Sequence, residues 1–272
     1  MSLKINYNAS AIVANNSLKM SDNRLTASLE RLSSGYKINH AKDNAAGLAI
    51  ARRMNAQIEG LKQANNNAND GLSVVNTADG AMSEMHSILQ RMNELATQAA
   101  NDTNTETDRE AIKAEIDQLV SEIDRIQSTT QFNTMNLLDG DFTGKNLQVG
   151  ALSGQVIAIS IGNMNADTLG VKSLSVDSNA NAGTAMTAIQ TAIEKVSTQR
   201  SDLGAIQNRL EHTIANLDTT SENTSAAESR IRDVDMAKEM VTYSKNNILA
   251  QAGQSMLAQA NQANQGVLSL LQ

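Results

Sequence analysis

The chain has 272 residues and a net charge of −7, only 2% of its residues are aromatic, and Trp, Pro and Cys are absent. A core must therefore be built from Leu, Ile, Val, Met and Ala, which pack well between helices but fill a broad globular interior poorly, and the lack of Pro permits long unkinked helices. The composition excludes disulfides, thiolate metal sites and a Cys nucleophile, and the acidic balance argues against nucleic acid as a partner.

The first half of the chain predicts two amphipathic helices joined by a loop. Residues 5–32 have apolar side chains at helical spacing, and the Ser-Ser-Gly sequence at 33–35 interrupts them. A long helix is predicted over residues 44–99, where two apolar stripes lie side by side. Two stripes indicate contact with two neighbouring helices, as in a bundle.

Another helix is predicted over about 107–128, beginning with a capping box formed by Thr107 and Glu110. From 139 to 183 the character changes, because glycines punctuate the chain at intervals. Ile157, Ile159 and Ile161 alternate there with small or polar residues, which is typical of a strand. We expect one or two β-hairpins in this segment.

Helix returns at about residue 184, and the polar run 219–225 is expected to loosen or end it before a last helix from about 226. After Lys245 no charged residue follows. Two interpretations remain open. Gln and Asn could line a closely packed or water-filled helix surface at low desolvation cost, or the segment could be a polar tail that folds only on binding.

Neither terminal segment has enough large apolar residues to stay helical alone. Ordering roughly 60 residues costs on the order of 60–120 kcal/mol, so thousands of Å² of apolar burial are needed. A self-association that does not close into a ring gives a helical filament.

Residues 1–60 carry a net charge of +4 and the remainder −11. That asymmetry has two interpretations: solvated helix faces, or head-to-tail attraction between copies.

No catalytic, metal or cofactor site is predicted. His40, His86 and His212 have no metal-binding spacing, and Asp233 and Asp235 are expected to face different ways on a helix. No apolar run approaches a membrane span, and the N-terminus has no signal-peptide core. We therefore predict neither an enzyme nor a membrane partner.

Several long stretches closely resemble bacterial flagellins. They include LERLSSGYKINHAKDNAAGLAIARRM at 29–54, DGLSVVNTADGAMSEMHSILQRMNELATQAAN at 70–101 and AAESRIRDVDMAKEM at 226–240. The resemblance implies a mainly α fold: an elongated antiparallel helical bundle or coiled coil with a small β-hairpin region, whose N- and C-termini pair. It divides the chain into an inner core (1–42 with 230–272), a helical rod (43–140 with 184–229) and a hairpin segment (141–183).

The resemblance also implies the function and partners. The subunit would polymerise into the extracellular flagellar filament for swimming, be secreted without a cleaved signal peptide, and need no cofactor. Core assembly would use apolar residues of both terminal helices: Ile5, Ile12, Leu25, Leu29, Leu249, Met256, Leu257, Val267, Leu268 and Leu271. Further implied partners are hook-junction and cap proteins, a C-terminal export chaperone and a flagellin-sensing Toll-like receptor.

The receptor motif maps by resemblance onto QRMNEL at 90–95, with Arg91, Leu95 and Glu115 as the binding residues. Asn93 stands where strongly activating relatives usually have Arg. Two other protein classes share parts of this design. A filament-junction protein shares the terminal design but should not form long filaments, and a chemoreceptor rod should contain no β segment.

Overall fold

The computed structural model describes residues 8–269, with side chains up to residue 262. The predicted mainly helical fold is confirmed. Within the described residues the elements run α1 (Ala9–Ser34), α2 (Ala45–Ala99), α3 (Glu106–Thr129), β1 (Gln131–Phe132), β2 (Met135–Asn136), β3 (Lys145–Gln148), β4 (Val156–Ile159), α4 (Ala166–Leu169), α5 (Asn179–Arg232) and α6 (Met236–Ser269).

The chain divides into two compact units. The terminal unit comprises the residues up to Ala56 together with those from Asn223 onward, and the central unit runs from Gln57 to Glu222. The terminal unit pairs α1 with α6, as predicted for the two chain ends. The finer predicted division into inner core, rod and hairpin segment stays a prediction.

The core of the central unit lies between α2, α3 and α5. Both predicted stripes of α2 face this core, and Met82, Met85, Leu89 and Met92 are fully buried. Because α2 contacts two helices, its apolar surface must be wider than a single coiled-coil seam. Helices α2 and α5 run antiparallel, since Arg200 Nε lies 2.8 Å from Asp79 Oδ1 and Asn65 hydrogen-bonds Asp218 further along.

Strands β3 and β4 form an antiparallel hairpin that packs on α2. Its alternation is as predicted, with Ile157 and Ile159 buried and their neighbours exposed. Gly60, Asn67 and Gly71 lie on one face of α2 beneath the hairpin. Asn67 Nδ2 donates to the Gln148 carbonyl at 2.9 Å, and both glycines leave room for side chains of the hairpin.

A second hairpin, β1–β2, lies before the segment in which hairpins were predicted. Its two turn residues, Asn133 and Thr134, have φ of 47° and 64°. Positive φ at both central positions is the requirement of a type I′ turn, which matches the twist of the flanking strands. Thr134 is β-branched and therefore strained in this conformation.

Three predicted helix boundaries were wrong. Helix α5 begins at Asn179 rather than at about residue 184. The capping box of α3 is formed by Thr105 and Asp108 rather than Thr107 and Glu110, so the helix begins earlier. Helix α5 continues through the polar run 219–225, where the Thr219 hydroxyl bonds the Ala215 carbonyl one turn back. The break falls instead after Arg232, and Asp235 caps α6 by accepting a hydrogen bond from the Lys238 amide.

Candidate functional site

The candidate assembly site is the helix pair α1–α6 of the terminal unit. Asn8 caps α1 at one end by accepting from the Ala11 amide, and Gly35, with φ of 76°, ends it in a left-handed cap. Asn8 also donates to the carbonyl of Ala260 at 3.0 Å, whereas Arg31 lies 3.8 Å from Glu239. The start of α1 therefore lies beside the end of α6, and the pair is antiparallel.

Small and polar residues line the seam between these two helices. The buried seam residues are Ser28 on α1 and Glu239, Asn246 and Ala250 on α6. Gly253 of α6 faces Leu18 of α1, and a methyl group added there would make an ordinary contact with Leu18 Cδ1 at 3.5 Å. The leucines beside these residues, Leu18, Leu25 and Leu257, are only half-buried, which limits the hydrophobic stabilisation of the pair.

Two of the large apolar residues of α6 face away from α1. Val241 is 71% and Ile248 66% exposed. They lie seven residues apart and roughly opposite Asn246 around the helix, at 100° per residue. On α1, Val13 is 64% exposed. Large apolar side chains therefore lie on the outer faces as well as at the seam, which is not the arrangement of a stable isolated helix pair.

The predicted assembly residues fall into three groups. The first is exposed, the second is half-buried at the seam, and the third lies outside the residues whose side chains the structure describes. The exposed residues are Ile12, Leu29, Leu249 and Met256. The half-buried residues are Leu25 and Leu257. The residues outside the described side chains are Ile5, Val267, Leu268 and Leu271. The exposed Val13, Val241 and Ile248 were not among the predicted residues, although Val241 and Ile248, seven residues apart on α6, form an apolar face of their own.

An open groove runs between α1 and α6, in the half of the pair that contains the start of α1. Its walls are Val13, Ala14 and Ser17 on one side and Leu249, Gly253 and Met256 on the other. The small residues at its floor leave space beside the exposed Val13 and Met256. The groove has the chemistry to accept apolar side chains from another helix.

The two interruptions of helix meet in a short antiparallel joint. The Lys37 amide donates to the Arg232 carbonyl at 2.6 Å, and the Val234 amide donates to the Gly35 carbonyl at 3.0 Å. The Arg232 guanidinium lies 3.8 Å above the Tyr36 ring and also contacts Glu228. These bonds satisfy backbone groups that each helix end would otherwise leave unpaired.

The structure brings two of the three predicted receptor residues together in the central unit. Arg91 Nη2 on α2 lies 2.9 Å from Glu115 Oε1 on α3, and both side chains are about half exposed. The hydrogen bonds to Glu115 and then to Glu94 raise the pKa of Arg91 above its ordinary range. Leu95 is 2% exposed and belongs to the core, so it packs α2 against the neighbouring helices.

The His, Asp and Glu side chains of the described residues form no metal-binding cluster. No group of three His, Asp or Glu side chains there could hold a metal ion. Asp233 and Asp235 lie in the break between α5 and α6 rather than on a helix, where Asp233 accepts from the Ser229 hydroxyl. None of the helices described is long and apolar enough to cross a membrane.

Comparison with known proteins identifies the family. The chain matches the bacterial flagellin N-terminal helical region over residues 5–143 and the bacterial flagellin C-terminal helical region over residues 186–271. The chain belongs to the bacterial flagellin family. The flagellin of Halalkalibacterium halodurans is 52% identical to it over 98% of this chain and 99% of its own length.

Solved structures agree with the assignment. The crystal structure of Bacillus cereus flagellin is 33% identical, with a TM-score of 0.52, and covers 60% of this flagellin and 94% of that chain. A putative flagellar hook-associated protein from Vibrio parahaemolyticus has a TM-score of 0.60 over 70% of this chain and 100% of its own, at 11% identity. The second likeness concerns the fold alone.

Family membership decides the general function. A flagellin is a structural, non-enzymatic protein that homopolymerises into the extracellular flagellar filament. The prediction of a filament subunit for motility is therefore confirmed, and the chemoreceptor alternative is wrong. Among the described residues of this flagellin, the exposed apolar faces of the antiparallel terminal pair are the strongest candidates for contacts between subunits.

Proposed function

We propose that the outward apolar faces of α1 and α6 are the contacts through which copies of this flagellin join in the filament core. One observation carries the proposal: Val13, Val241 and Ile248 of the terminal unit are each more than 60% exposed, whereas the fully buried residues of its seam are small or polar. Fully burying a Val, Ile or Met side chain contributes about 1.5–3 kcal/mol. Burying the exposed parts of Val13, Val241, Ile248 and Met256 would thus add on the order of 4–8 kcal/mol per subunit.

Each predicted segment has a role in this proposal. Residues 1–42 and 230–272 form the inner coiled coil, 43–140 and 184–229 form the helical rod, and 141–183 is the hairpin segment of the rod. The neutral surface after Lys245 allows copies to pack closely, because no charge there has to be desolvated. The resulting stiff polymer transmits the motor's torque.

Seeded polymerisation tests the assembly faces. In the double variant Val241→Thr/Ile248→Thr the first change is isosteric, and the second keeps the β-branch while shortening the side chain. Both replace exposed apolar groups by a hydroxyl, so the variant should extend filament seeds far more slowly while circular dichroism shows unchanged helix content. Gln254→Ser, an exposed change on the same helix, should extend seeds normally. Deletion of residues 246–272 should abolish filaments altogether. Normal elongation by the double variant would refute the proposal.

The same terminal surface is proposed to bind the assembly and export partners. An export chaperone would cover the C-terminal helix before secretion through the flagellar type III apparatus, and hook-junction and cap proteins would contact the helix pair at the filament ends. The exposed Val241, Ile248 and Met256 support this proposal, since an apolar surface needs cover before assembly. Val241→Thr/Ile248→Thr should therefore weaken binding to a purified chaperone, measured by calorimetry; unchanged affinity would contradict a shared surface.

A second proposed function is that of ligand for a flagellin-sensing Toll-like receptor. It is supported by the resemblance at 90–95 and by the exposed Arg91–Glu115 pair. Arg91 would offer a positive charge to the receptor, oriented by Glu94 of α2 and Glu115 of α3. The buried Leu95 would keep α2 packed in the core. Asn93 in place of Arg removes one positive charge from the site, which lowers the expected potency.

Receptor-reporter cells test this second function. Arg91→Ala and Glu115→Ala should each reduce activation by monomeric protein. Lys113→Ala is the matched control, because Lys113 pairs with Asp117 on the same helix at 2.8 Å and is similarly exposed. Leu95→Ala should lower activation only together with the unfolding temperature. Equal activation by Arg91→Ala and Lys113→Ala would eliminate Arg91 from the site.

A further inference from the structure

Methionine exposure differs sharply between the two units. In the terminal unit Met20, Met236, Met240 and Met256 are 48–61% exposed and Met54 is half-buried. In the central unit Met82, Met85, Met92 and Met164 are buried, Met186 is half-buried and only Met135 is exposed. A thioether in contact with solvent can react with a dissolved oxidant, whereas one inside a packed core cannot be reached.

From this distribution we infer that the terminal methionines are an oxidation site that controls whether the free subunit can assemble. The oxidant is hydrogen peroxide or another two-electron peroxide. The sulfide attacks one peroxide oxygen, the O–O bond breaks, and that oxygen bonds to sulfur. The sulfur is oxidised to the sulfoxide, and the second peroxide oxygen takes up the protons and leaves as water.

One of the four, Met256, is itself a proposed assembly residue, and Met240 is next to another, Val241. Met256 forms a wall of the groove with Val13 and Leu249. Met236 and Met240 lie one turn apart on α6, so they form one patch of their own. Sulfoxide formation converts a flexible apolar group into a polar one, which disrupts methionine-containing interfaces. The consequence for assembly rests on the proposed function of these faces.

Oxidation should leave the fold of the free protein intact. The four methionines are already largely solvated, so a sulfoxide oxygen there is hydrated rather than buried. The core methionines of α2, which are Met82, Met85 and Met92, stay reduced because solvent does not reach them. The modification therefore acts on assembly and not on folding, and methionine sulfoxide reductases should reverse it.

Peptide-resolved mass spectrometry tests the site itself. Full-length monomer treated with hydrogen peroxide should gain sulfoxide at Met20, Met135, Met236, Met240 and Met256 well before Met82, Met85, Met92 and Met164. Oxidation at equal rates in both groups would overturn the inference. This measurement does not depend on polymerisation, so it stays informative even if the proposed assembly faces are wrong.

Seeded elongation tests the consequence. Oxidised protein should add to seeds on the order of tenfold more slowly than untreated protein, and reductase treatment should restore the rate. The variant M20L/M236L/M240L/M256L preserves size and apolar character and should elongate equally before and after peroxide, whereas M135L should remain sensitive. Undiminished elongation by wild-type protein carrying the four sulfoxides would overturn the inference. Failure of untreated protein to elongate would instead contradict the proposed function.

Discussion

Leu147 of β3 lies in the space that a side chain at Gly71 of α2 would occupy. A methyl group added to Gly71 would overlap Leu147 Cδ1, and its other near neighbours are Leu147 Cδ2 and Cγ, each at 3.3 Å. The hairpin is therefore seated on α2 through a contact between a glycine and a leucine. Gly80, also on α2, has no atom within 4 Å of the same added methyl.

The two glycines should respond oppositely to substitution by Ala. Gly80→Ala should stabilise the protein by about 0.5–1 kcal/mol, because Ala is the better helix former. Gly71→Ala should lose that gain and destabilise by about 1–2 kcal/mol, since Leu147 must move. Urea unfolding measures both. Leu147→Ala should make Gly71→Ala harmless in the double variant, and similar gains from both single variants would show that Leu147 moves without cost.

Thr134→Gly should stabilise the small β1–β2 hairpin. Thr134 has φ of 64°, which costs a β-branched residue free energy and costs glycine almost none. Asn-Gly is the preferred pair for such a turn. We expect a gain of about 0.5–1.5 kcal/mol by thermal unfolding, although the hydroxyl's 2.6 Å bond to the Asn133 carbonyl is lost. Thr143→Gly, outside this turn, should give no such gain.

The capping box of α3 should make stability depend on pH. Hydrogen bonds from the Thr105 hydroxyl and amide hold the pKa of Asp108 below its ordinary range. The carboxylate therefore contributes its full stabilisation above the pKa of an unfolded aspartate, and the contribution disappears as pH falls through the lowered pKa. Asp108→Asn should destabilise at neutral pH and converge with wild type in strong acid. Parallel curves from pH 7 to pH 2 would exclude Asp108 as the source.

Tyr36 should stabilise the joint between the helix interruptions through its ring. Tyr36→Leu removes the aromatic face below the Arg232 guanidinium and should cost about 0.5–1 kcal/mol. Tyr36→Phe retains the face and serves as the matched control. Hydrogen exchange of the Lys37 and Val234 amides, which bridge the joint, should accelerate in the Leu variant only. Acceleration in both variants would assign the effect to the hydroxyl.

Helix periodicity predicted the central unit well because its buried residues are large and regularly spaced. The stripes through Met82 and Met85, and the alternation at Ile157 and Ile159, are patterns that burial itself imposes. Local chemistry was harder to predict. Thr105 and Thr107 each precede an acidic residue by three positions, and nothing in the pattern distinguishes them. The helical course of 219–225 depends on hydroxyls bonding back to the preceding turn.

The candidate site was predicted only in part, because several of its apolar residues are exposed in the single chain instead of buried. In an isolated fold, Leu25 and Leu257 at the seam are the residues that periodicity detects. Val241 and Ile248 face solvent here, so a search for a buried stripe does not select them. Their significance depends on a second copy of the chain, which a single sequence does not contain. The pairing of Arg91 with Glu115 likewise depends on the packing of α2 against α3.

Single-cysteine labelling tests the burial of the terminal faces most directly, since the chain has no natural Cys. Ile248→Cys and, separately, Val241→Cys should react rapidly with a maleimide in the monomer. In filaments both should become strongly protected, and filaments depolymerised after the same incubation should react at the monomer rate. Labelling of intact filaments as fast as monomers, at both positions, would contradict the account.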